Sequence, residues 1–156
     1  MGVRVIALGG SLLSDDSIVF EKWMEGLAEI LKKRSDQESK TVLVVGGGAV
    51  ARNAINVVSK TTRDRDSLDR VGISATRLNA TIIREKLLSL GVHVSREEPT
   101  SVQDAIRNTG YEILVMGGTE PGHTTDCVAI EIAIGIKAQS CLCLLYTSDA
   151  ADEPSS

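Results

Sequence analysis

Residues 41–58 read TVLVVGGGAVARNAINVV, an apolar run that stops at three glycines and continues into a segment of helical composition. Thr41–Val45 are β-branched or aliphatic with no regular polar alternation, which is typical of a strand buried on both faces. Three consecutive glycines mark a tight turn, and Ala49–Val58 has residues that a helix accommodates. The stretch therefore predicts a β-strand, a glycine-rich turn and an α-helix in succession.

The same order of elements recurs on both sides of this unit. Val3–Leu8 is an apolar run that ends at Gly9-Gly10-Ser11, and Ile113–Met116 is another that ends at Gly117-Gly118. Apolar residues at helical spacing predict helices over Phe20–Arg34, Ile73–Leu88 (capped by Gly91), Val102–Arg107 and Thr125–Ile136. Val92–Val94 is predicted as a brief strand, and residues 59–69 as a polar connection. Strands that alternate with helices predict one α/β domain whose mainly parallel sheet is covered on both faces.

Composition narrows the class of protein. A chain of 156 residues with 42% hydrophobic content is long enough for one domain with a buried core. A net charge of −4 without any block of Lys or Arg argues against a nucleic-acid surface. Cys127, Cys141 and Cys143 show no metal-binding spacing and are odd in number, so we expect a reducing, cytoplasmic setting. No apolar run approaches the roughly 20 residues of a membrane span, so we expect no membrane partner.

Glycine-rich turns end all three predicted strands, and the carboxyl ends of parallel strands lie along one edge of a sheet. Glycine at that edge lets backbone N–H groups approach a ligand, and helix N-termini favour an anion, so the turns predict a phosphate site. One glycine pair alone is explained equally well as a tight turn between a strand and a helix. Three such turns at one edge favour a binding site.

A dinucleotide-binding domain is the alternative for the second turn. Gly46-Gly47-Gly48-Ala49-Val50-Ala51 fits a loose G-x-G-x-x-A pattern after a strand. Such a domain needs another strand about 20 residues further on, ending in an acid that binds the ribose. Ser59–Asp69 has no strand character, so we disfavour this interpretation.

Residues 117–126, GGTEPGHTTD, bring hydroxyls, an imidazole, a carboxylate and backbone donors to the start of a predicted helix. Thr124 or Thr125 suits the N-cap of that helix, and capping would explain one hydroxyl. Capping does not explain both threonines together with Asp126. We therefore expect this loop to contribute to the site.

Three motifs in this order resemble those of archaeal-type uridylate kinases of the amino-acid-kinase superfamily. The loop at residues 117–126 is similar to the family's Gly-Gly-Thr-x-Pro-Gly-His-Thr-Thr-Asp loop, Val44–Arg52 to its second glycine loop, and Gly72–Ala80 to a motif of its long helix. With Gly9-Gly10-Ser11 at the start, the resemblance covers residues 1–140. It implies a three-layer αβα sandwich with a mainly parallel sheet, incomplete in this chain.

The activity that the resemblance implies is ATP-dependent phosphorylation of UMP to UDP in pyrimidine nucleotide biosynthesis, with Mg²⁺ as the accompanying ion. Catalysis of this kind needs positioning and neutralisation of charge more than a protein nucleophile. The residues implied to bind the acceptor are Gly46, Gly47 and Arg52 at the UMP phosphate, Asp69 at the nucleoside hydroxyls, and Thr119, Thr124 and Thr125 around uridine and phosphate.

The residues implied to act at the transferred phosphoryl group are Gly9, Gly10 and Ser11, through backbone donors, with Asp126 orienting the donor side. No metal site built from side chains is predicted. His93 and Cys127 are assigned to packing, and His123 either contacts phosphate or is structural.

Two departures from the family pattern bear on these expectations. Ala7 stands where many superfamily members have a lysine. Residues 143–153 resemble the translation of a transposase-type sequencing adapter, so we expect 141–156 to be a non-native or disordered tail. The acceptor-binding part would then be residues 1–140, the ATP-binding half would be absent, and this chain would be inactive alone.

Other proteins of related architecture supply the competing hypotheses. Molybdenum storage proteins bind nucleotide and oxyanions without acting as metabolic kinases, and isopentenyl phosphate kinase phosphorylates a different small acceptor. For the intact parent protein the resemblance implies UMP and ATP as partners and a homo-oligomer, a hexamer as in uridylate kinases.

Overall fold

The computed structural model describes residues 2–13, 17–108 and 110–144. The helices and strands, in chain order, are β1 (Val3–Leu8), a 3-10 helix (Gly10–Leu12), α1 (Ser17–Asp36), β2 (Lys40–Val45), α2 (Gly48–Ser59), α3 (Arg65–Ser89), α4 (Val102–Arg107), β3 (Ile113–Met116), α5 (Thr125–Gly135) and β4 (Ser140–Leu144). The predicted alternation of strands and helices is confirmed.

The four described strands form one parallel sheet in the order β3-β2-β1-β4. In the register of the sheet, Val5 lies opposite Val42 on one side and Cys141 on the other. Because β1, β2 and β3 are adjacent and parallel, their three glycine-rich turns meet at the same edge. The fold therefore brings together turns that begin at Gly9, Gly46 and Gly117 and are 37 to 108 residues apart in the sequence.

Helices cover both faces of the sheet. Ile6 and Leu43 point to the face on which α1 and α3 pack, whereas Val5 and Val42 point to the face on which α4 and α5 pack. Burial of both faces explains why the strands are apolar without alternation. The architecture is a three-layer αβα sandwich, as predicted, with α2 packed against α3. Among the described helices, none combines the length and the apolar character that a bilayer span needs.

The long helix α3 begins earlier than predicted, at Arg65 and not near Ile73, because Asp64 caps it by accepting a hydrogen bond from the Ser67 N–H at 3.0 Å. No strand separates α2 from α3, which removes the dinucleotide-binding alternative. Gly91, at φ +83°, ends the helix as predicted. Its N–H donates a hydrogen bond to the Leu88 carbonyl, and the N–H of the next residue donates to the Leu87 carbonyl.

The brief strand predicted at Val92–Val94 is wrong. The Val92 N–H donates to the Leu87 carbonyl and so belongs to the end of α3. Both valines are buried, which explains their apolar character without a strand.

The beginning of the predicted tail lies in the sheet. Ser140–Leu144 form β4, a strand paired with β1, and four of its residues fall within the range 141–156 where we expected a tail. Backbone hydrogen bonds to β1 account for this strand, since its side chains from Cys141 onward are exposed. The rest of the predicted tail, residues 145–156, lies outside the described residues.

Candidate functional site

The first two glycine-rich turns lie against each other. A Cβ atom on Gly10 would stand 2.3 Å from the Gly48 nitrogen, and one on Gly48 would stand 2.4 Å from the Gly10 carbonyl carbon. Gly48 also has φ +54°, a conformation that favours glycine. Glycine is therefore needed at both positions because the two backbones touch.

Helix α3 ties the second turn to the third. The Asn79 side-chain amide donates to the carbonyls of Gly46 and Gly47, both at 2.9 Å. One helical turn earlier, the Thr76 hydroxyl accepts a hydrogen bond from the Gly118 N–H at 2.7 Å. The buried Thr76 and Asn79 thus satisfy backbone groups that the turns would otherwise leave unpaired.

Arg77 fixes the third turn from its outer side. Its guanidinium donates to the Gly118 carbonyl at 3.2 Å and to the Thr119 carbonyl at 3.1 Å. The motif at Gly72–Ala80 contains Thr76, Arg77 and Asn79, and the resemblance implied no role for these three residues. The available signal was a pair of polar residues, Thr76 and Asn79, on the buried face of an amphipathic helix.

A cavity of about 470 Å³ opens where α2, α3 and the third turn meet. This volume falls within the usual range for small-molecule sites. Five of the predicted residues line it together, namely Gly47, Arg52, Asp69, Thr124 and Thr125. The fold therefore gathers into one cavity residues that the resemblance alone had linked.

Two helix N-termini and one arginine border this cavity. Helix α2 starts at Gly48, and its N-cap Gly47 has no side chain to satisfy the first N–H groups. Helix α5 starts at Thr125 with Thr124 as N-cap, whose hydroxyl accepts from the Cys127 N–H at 3.1 Å. With Arg52, an exposed residue of α2 on the cavity wall, the two helix N-termini suit an anionic group.

The other walls differ in character. Ile55 and Ile73 line the cavity and provide apolar surface that the sequence analysis had not assigned to the site. Asp69, near the start of α3, also lines the cavity, and its carboxylate accepts a hydrogen bond from the Gly122 N–H at 2.9 Å. Asp69 therefore closes the third loop over α3, and a carboxylate has further acceptor capacity for a ligand hydroxyl.

Three predicted residues use their backbone groups within the protein. The Gly9 N–H donates to the Leu144 carbonyl at 3.0 Å, and the Gly46 N–H donates to the Leu8 carbonyl at 2.8 Å. Both strand ladders thus continue into the turns, so these N–H groups do not face a ligand. Thr119 lies outside the cavity, beside Arg77. The two residues that follow Gly46, namely Gly47 and Gly48, line the cavity.

Asp126 does not line this cavity. It borders a separate space of about 320 Å³ together with Ala7 and the cysteines of β4. Its Oδ1 accepts a hydrogen bond from the Cys143 thiol at 3.6 Å. Gly10 is buried against the second turn, whereas Ser11 is exposed in the 3-10 helix at the same sheet edge.

The residues assigned to packing are exposed. The His93 side chain is 91% exposed, and Cys127 is exposed on α5, so both assignments are wrong. Cys127 instead donates its thiol to Glu131 Oε1 at 3.2 Å, and the same oxygen lies 3.0 Å from His123 Nδ1. Hydrogen bonds from Cys127 and then His123 lower the pKa of Glu131, and the bond to Glu131 raises the pKa of Cys127.

Comparison with known proteins agrees with this arrangement. A family model described as the amino acid kinase family matches residues 2–149. The chain is 42% identical over 130 residues to a uridylate kinase from Thermoplasma acidophilum, which covers 80% of this chain and 52% of that protein. It is also 42% identical over 137 residues to a uridylate kinase from Methanocaldococcus jannaschii, covering 86% and 58% respectively.

Among solved structures, that of uridylate kinase from Archaeoglobus fulgidus superposes with a TM-score of 0.74 at 35% identity, over 92% of this chain and 62% of that one. The resemblance predicted from the three motifs is confirmed. The chain spans slightly more than half the length of the curated relatives that it matches.

Proposed function

This chain belongs to the amino acid kinase family, and on that premise we propose that it forms the UMP-binding part of a uridylate kinase, which phosphorylates UMP to UDP with ATP. The observation that carries the proposal is the cavity in which the N-termini of α2 and α5 converge with Arg52. An acceptor nucleotide needs such an anion site beside apolar surface for its base.

The acceptor would lie along the cavity from α2 towards α3. Its phosphate would accept from the N–H groups of Gly47 and Gly48 and from the guanidinium of Arg52, whose planar donors suit a phosphate. Its base would contact Ile55 and Ile73, the apolar part of the wall. Uridine and phosphate would also meet the hydroxyls of the third loop, at Thr124 and Thr125.

The sugar would lie next to Asp69. This carboxylate holds the third loop through Gly122 and would also accept from a ribose hydroxyl. Discrimination between nucleotides then depends on how the third loop closes over the base, because Asp69 couples that loop to α3.

Transfer itself would depend on position and charge. The 3-10 helix containing Gly10 and Ser11 lies at the same edge as the cavity and would face the transferred phosphoryl group. Magnesium takes one or two carboxylates together with substrate phosphates and waters, and Asp126 offers one carboxylate at the start of α5. When bound, Mg²⁺ would neutralise phosphate charge, while the residues of this chain bind the acceptor and orient it.

We propose that further chain supplies the ATP site, so that the acceptor-binding part described here does not transfer phosphate alone. This proposal is supported by the 52% and 58% of the relatives' lengths that the chain covers. The intact parent would act in the cytoplasm, where its nucleotide substrates are made, and would assemble as a homo-oligomer. Free cysteines at Cys127, Cys141 and Cys143 are consistent with a reducing compartment.

Phosphate transfer by the intact parent protein tests the activity. Purified parent is incubated with Mg²⁺ and labelled ATP, with UMP, CMP or isopentenyl phosphate as acceptor, and nucleotide-dependent molybdate loading is measured in parallel. We expect UDP as the main product. Preferential labelling of isopentenyl phosphate, or molybdate loading without transfer, would refute the proposal in favour of the corresponding alternative.

Arg52→Ala and Arg52→Lys form the matched pair for the anion site. Loss of a charge-assisted hydrogen bond costs about 1.5–3 kcal/mol, which corresponds to about 10- to 150-fold in kcat/KM for UMP. Lysine retains the charge without the planar fork, so Arg52→Lys should lose less. Equal and small losses in both variants would place the phosphate elsewhere.

A further inference from the structure

His123, Cys127 and Glu131 form a side-chain cluster that the proposed kinase function does not use. One potential ligand atom from each residue lies within 4.8 Å of the others. Cys127 and Glu131 are four residues apart and therefore share one face of α5, while His123 comes from the loop just before the helix. Two elements thus contribute to one cluster.

We infer that this cluster is a site for a zinc-like divalent cation, held by His123 Nδ1, Cys127 Sγ and Glu131 Oε1. Imidazole nitrogen, thiolate sulfur and carboxylate oxygen are the three ligand types that Zn²⁺ takes from proteins, and an open site has three such ligands with water in the fourth position. The mixed nitrogen and sulfur donors make the site unsuited to Mg²⁺, which prefers oxygen ligands.

Two of the three distances between ligand atoms require little rearrangement, and the third, between His123 Nδ1 and Cys127 Sγ, is at most 4.8 Å. Ligand atoms around a tetrahedral zinc ion lie roughly 3.5 Å apart, given its usual bond lengths. Here Glu131 Oε1 is 3.0 Å from His123 Nδ1 and 3.2 Å from Cys127 Sγ. An entering ion would displace two protons to solvent, one from the Cys127 thiol and one from His123 Nδ1, and would break the hydrogen bonds that both groups make to Glu131, which leaves the remaining ring proton on Nε2. The His123 and Glu131 side chains are 36% and 39% exposed, so the site is accessible.

A second feature supports a metal-binding role for the histidine. The far nitrogen of its ring, Nε2, lies 3.4 Å from Glu120 Oε1. Metal-binding histidines usually donate their other ring N–H to a carboxylate, which fixes the ring orientation. Glu120 lies within ion-pair distance of Nε2, and a rotation of its exposed side chain would bring a carboxylate oxygen to that outer position.

Ion binding would link the third loop to α5. His123 also lines the acceptor cavity, so a bound cation would restrain one wall of that cavity. The zinc site does not depend on the proposed kinase activity, because it can be measured by metal binding alone.

Cobalt(II) titration of the full chain tests this inference. The Cys141→Ser/Cys143→Ser variant is used as background, since it leaves Cys127 as the sole thiol. We expect a thiolate-to-cobalt charge-transfer band, tetrahedral visible bands, and displacement by equimolar Zn²⁺ but not by excess Mg²⁺. Circular dichroism of each variant confirms that it is folded.

Three further substitutions in that background assign the ligands. Cys127→Ser should abolish the charge-transfer band. Loss of a residue that only orients a ligand typically weakens metal binding by about 10- to 100-fold. Glu131→Gln removes a ligand, so it should weaken cobalt binding by more than that. Glu120→Gln should fall within that range. If no thiolate band develops in the folded background variant, or if Glu131→Gln binds cobalt as tightly as the background, the inference is overturned and the cluster is a hydrogen-bonded ion pair only.

Discussion

Replacing Thr76 by Val tests whether α3 holds the third glycine turn in place. Valine has nearly the shape of threonine, so the change removes the hydroxyl and leaves the buried Gly118 N–H without its acceptor at 2.7 Å. An unsatisfied buried donor costs about 1–3 kcal/mol. With a urea m-value of about 2 kcal/mol/M, the unfolding midpoint should fall by about 0.5–1.5 M.

Thr76→Ser is the matched control, because it keeps the hydroxyl and loses one methyl group, worth about 0.8 kcal/mol. Stability alone therefore separates the two variants poorly, and amide exchange at Gly118 is the decisive assay. We expect faster exchange of this amide in the Val variant and near-native exchange in the Ser variant. A Val variant with native stability and native Gly118 protection would show that the Thr76 hydroxyl does not hold the third turn.

The remaining predictions concern the turns and a helix cap. Gly10→Ala should prevent or severely impair folding, because the new Cβ would stand 2.3 Å from the Gly48 nitrogen. In Gly26→Ala the new Cβ meets nothing within 4 Å, so this change should raise stability by about 0.5–1 kcal/mol. Urea unfolding of the two variants and the wild type measures both effects. Hydrogen bonds from the Ser67 hydroxyl and N–H lower the pKa of Asp64. The stability that Asp64 contributes is therefore present above its usual pKa of about 4 and is lost as the pH falls through the lower, folded-state value. Asp64→Asn should keep the cap and lose less stability than the wild type on acidification. Equal losses in both proteins would show that the Asp64 carboxylate is not a source of the acid sensitivity.

The sheet, and the edge of it at which the glycine-rich turns meet, could be predicted because local signals specify them. An apolar run such as Thr41–Val45, followed by glycines and then by a helical segment, indicates a buried parallel strand. The loop at residues 117–126 also indicated its role, since its polar side chains exceeded what a helix cap needs. Arg52 and Asp69 came from the resemblance, and the structure places both on the cavity wall.

What could not be predicted depends on partners distant in the sequence. Thr76 and Asn79 bind turns that are 42 and 33 residues away, and no local pattern identifies those acceptors and donors. Whether the N–H groups of Gly9 and Gly46 are free depends on how far strand pairing continues beyond the last apolar residue. Strand β4 was not predicted for the same reason. It is formed by backbone pairing with β1, and its exposed side chains do not indicate that pairing.

We propose that the cavity at the N-termini of α2 and α5 binds the UMP phosphate, and an amide chemical-shift titration of the full chain with UMP is the measurement of choice because it detects weak binding. We expect shifts concentrated at Gly47, Gly48, Arg52 and Thr124, much smaller shifts with uridine, and loss of the phosphate-dependent part in Arg52→Ala. A folded chain in which millimolar UMP moves none of these amides, or moves them no more than uridine does, would contradict the account.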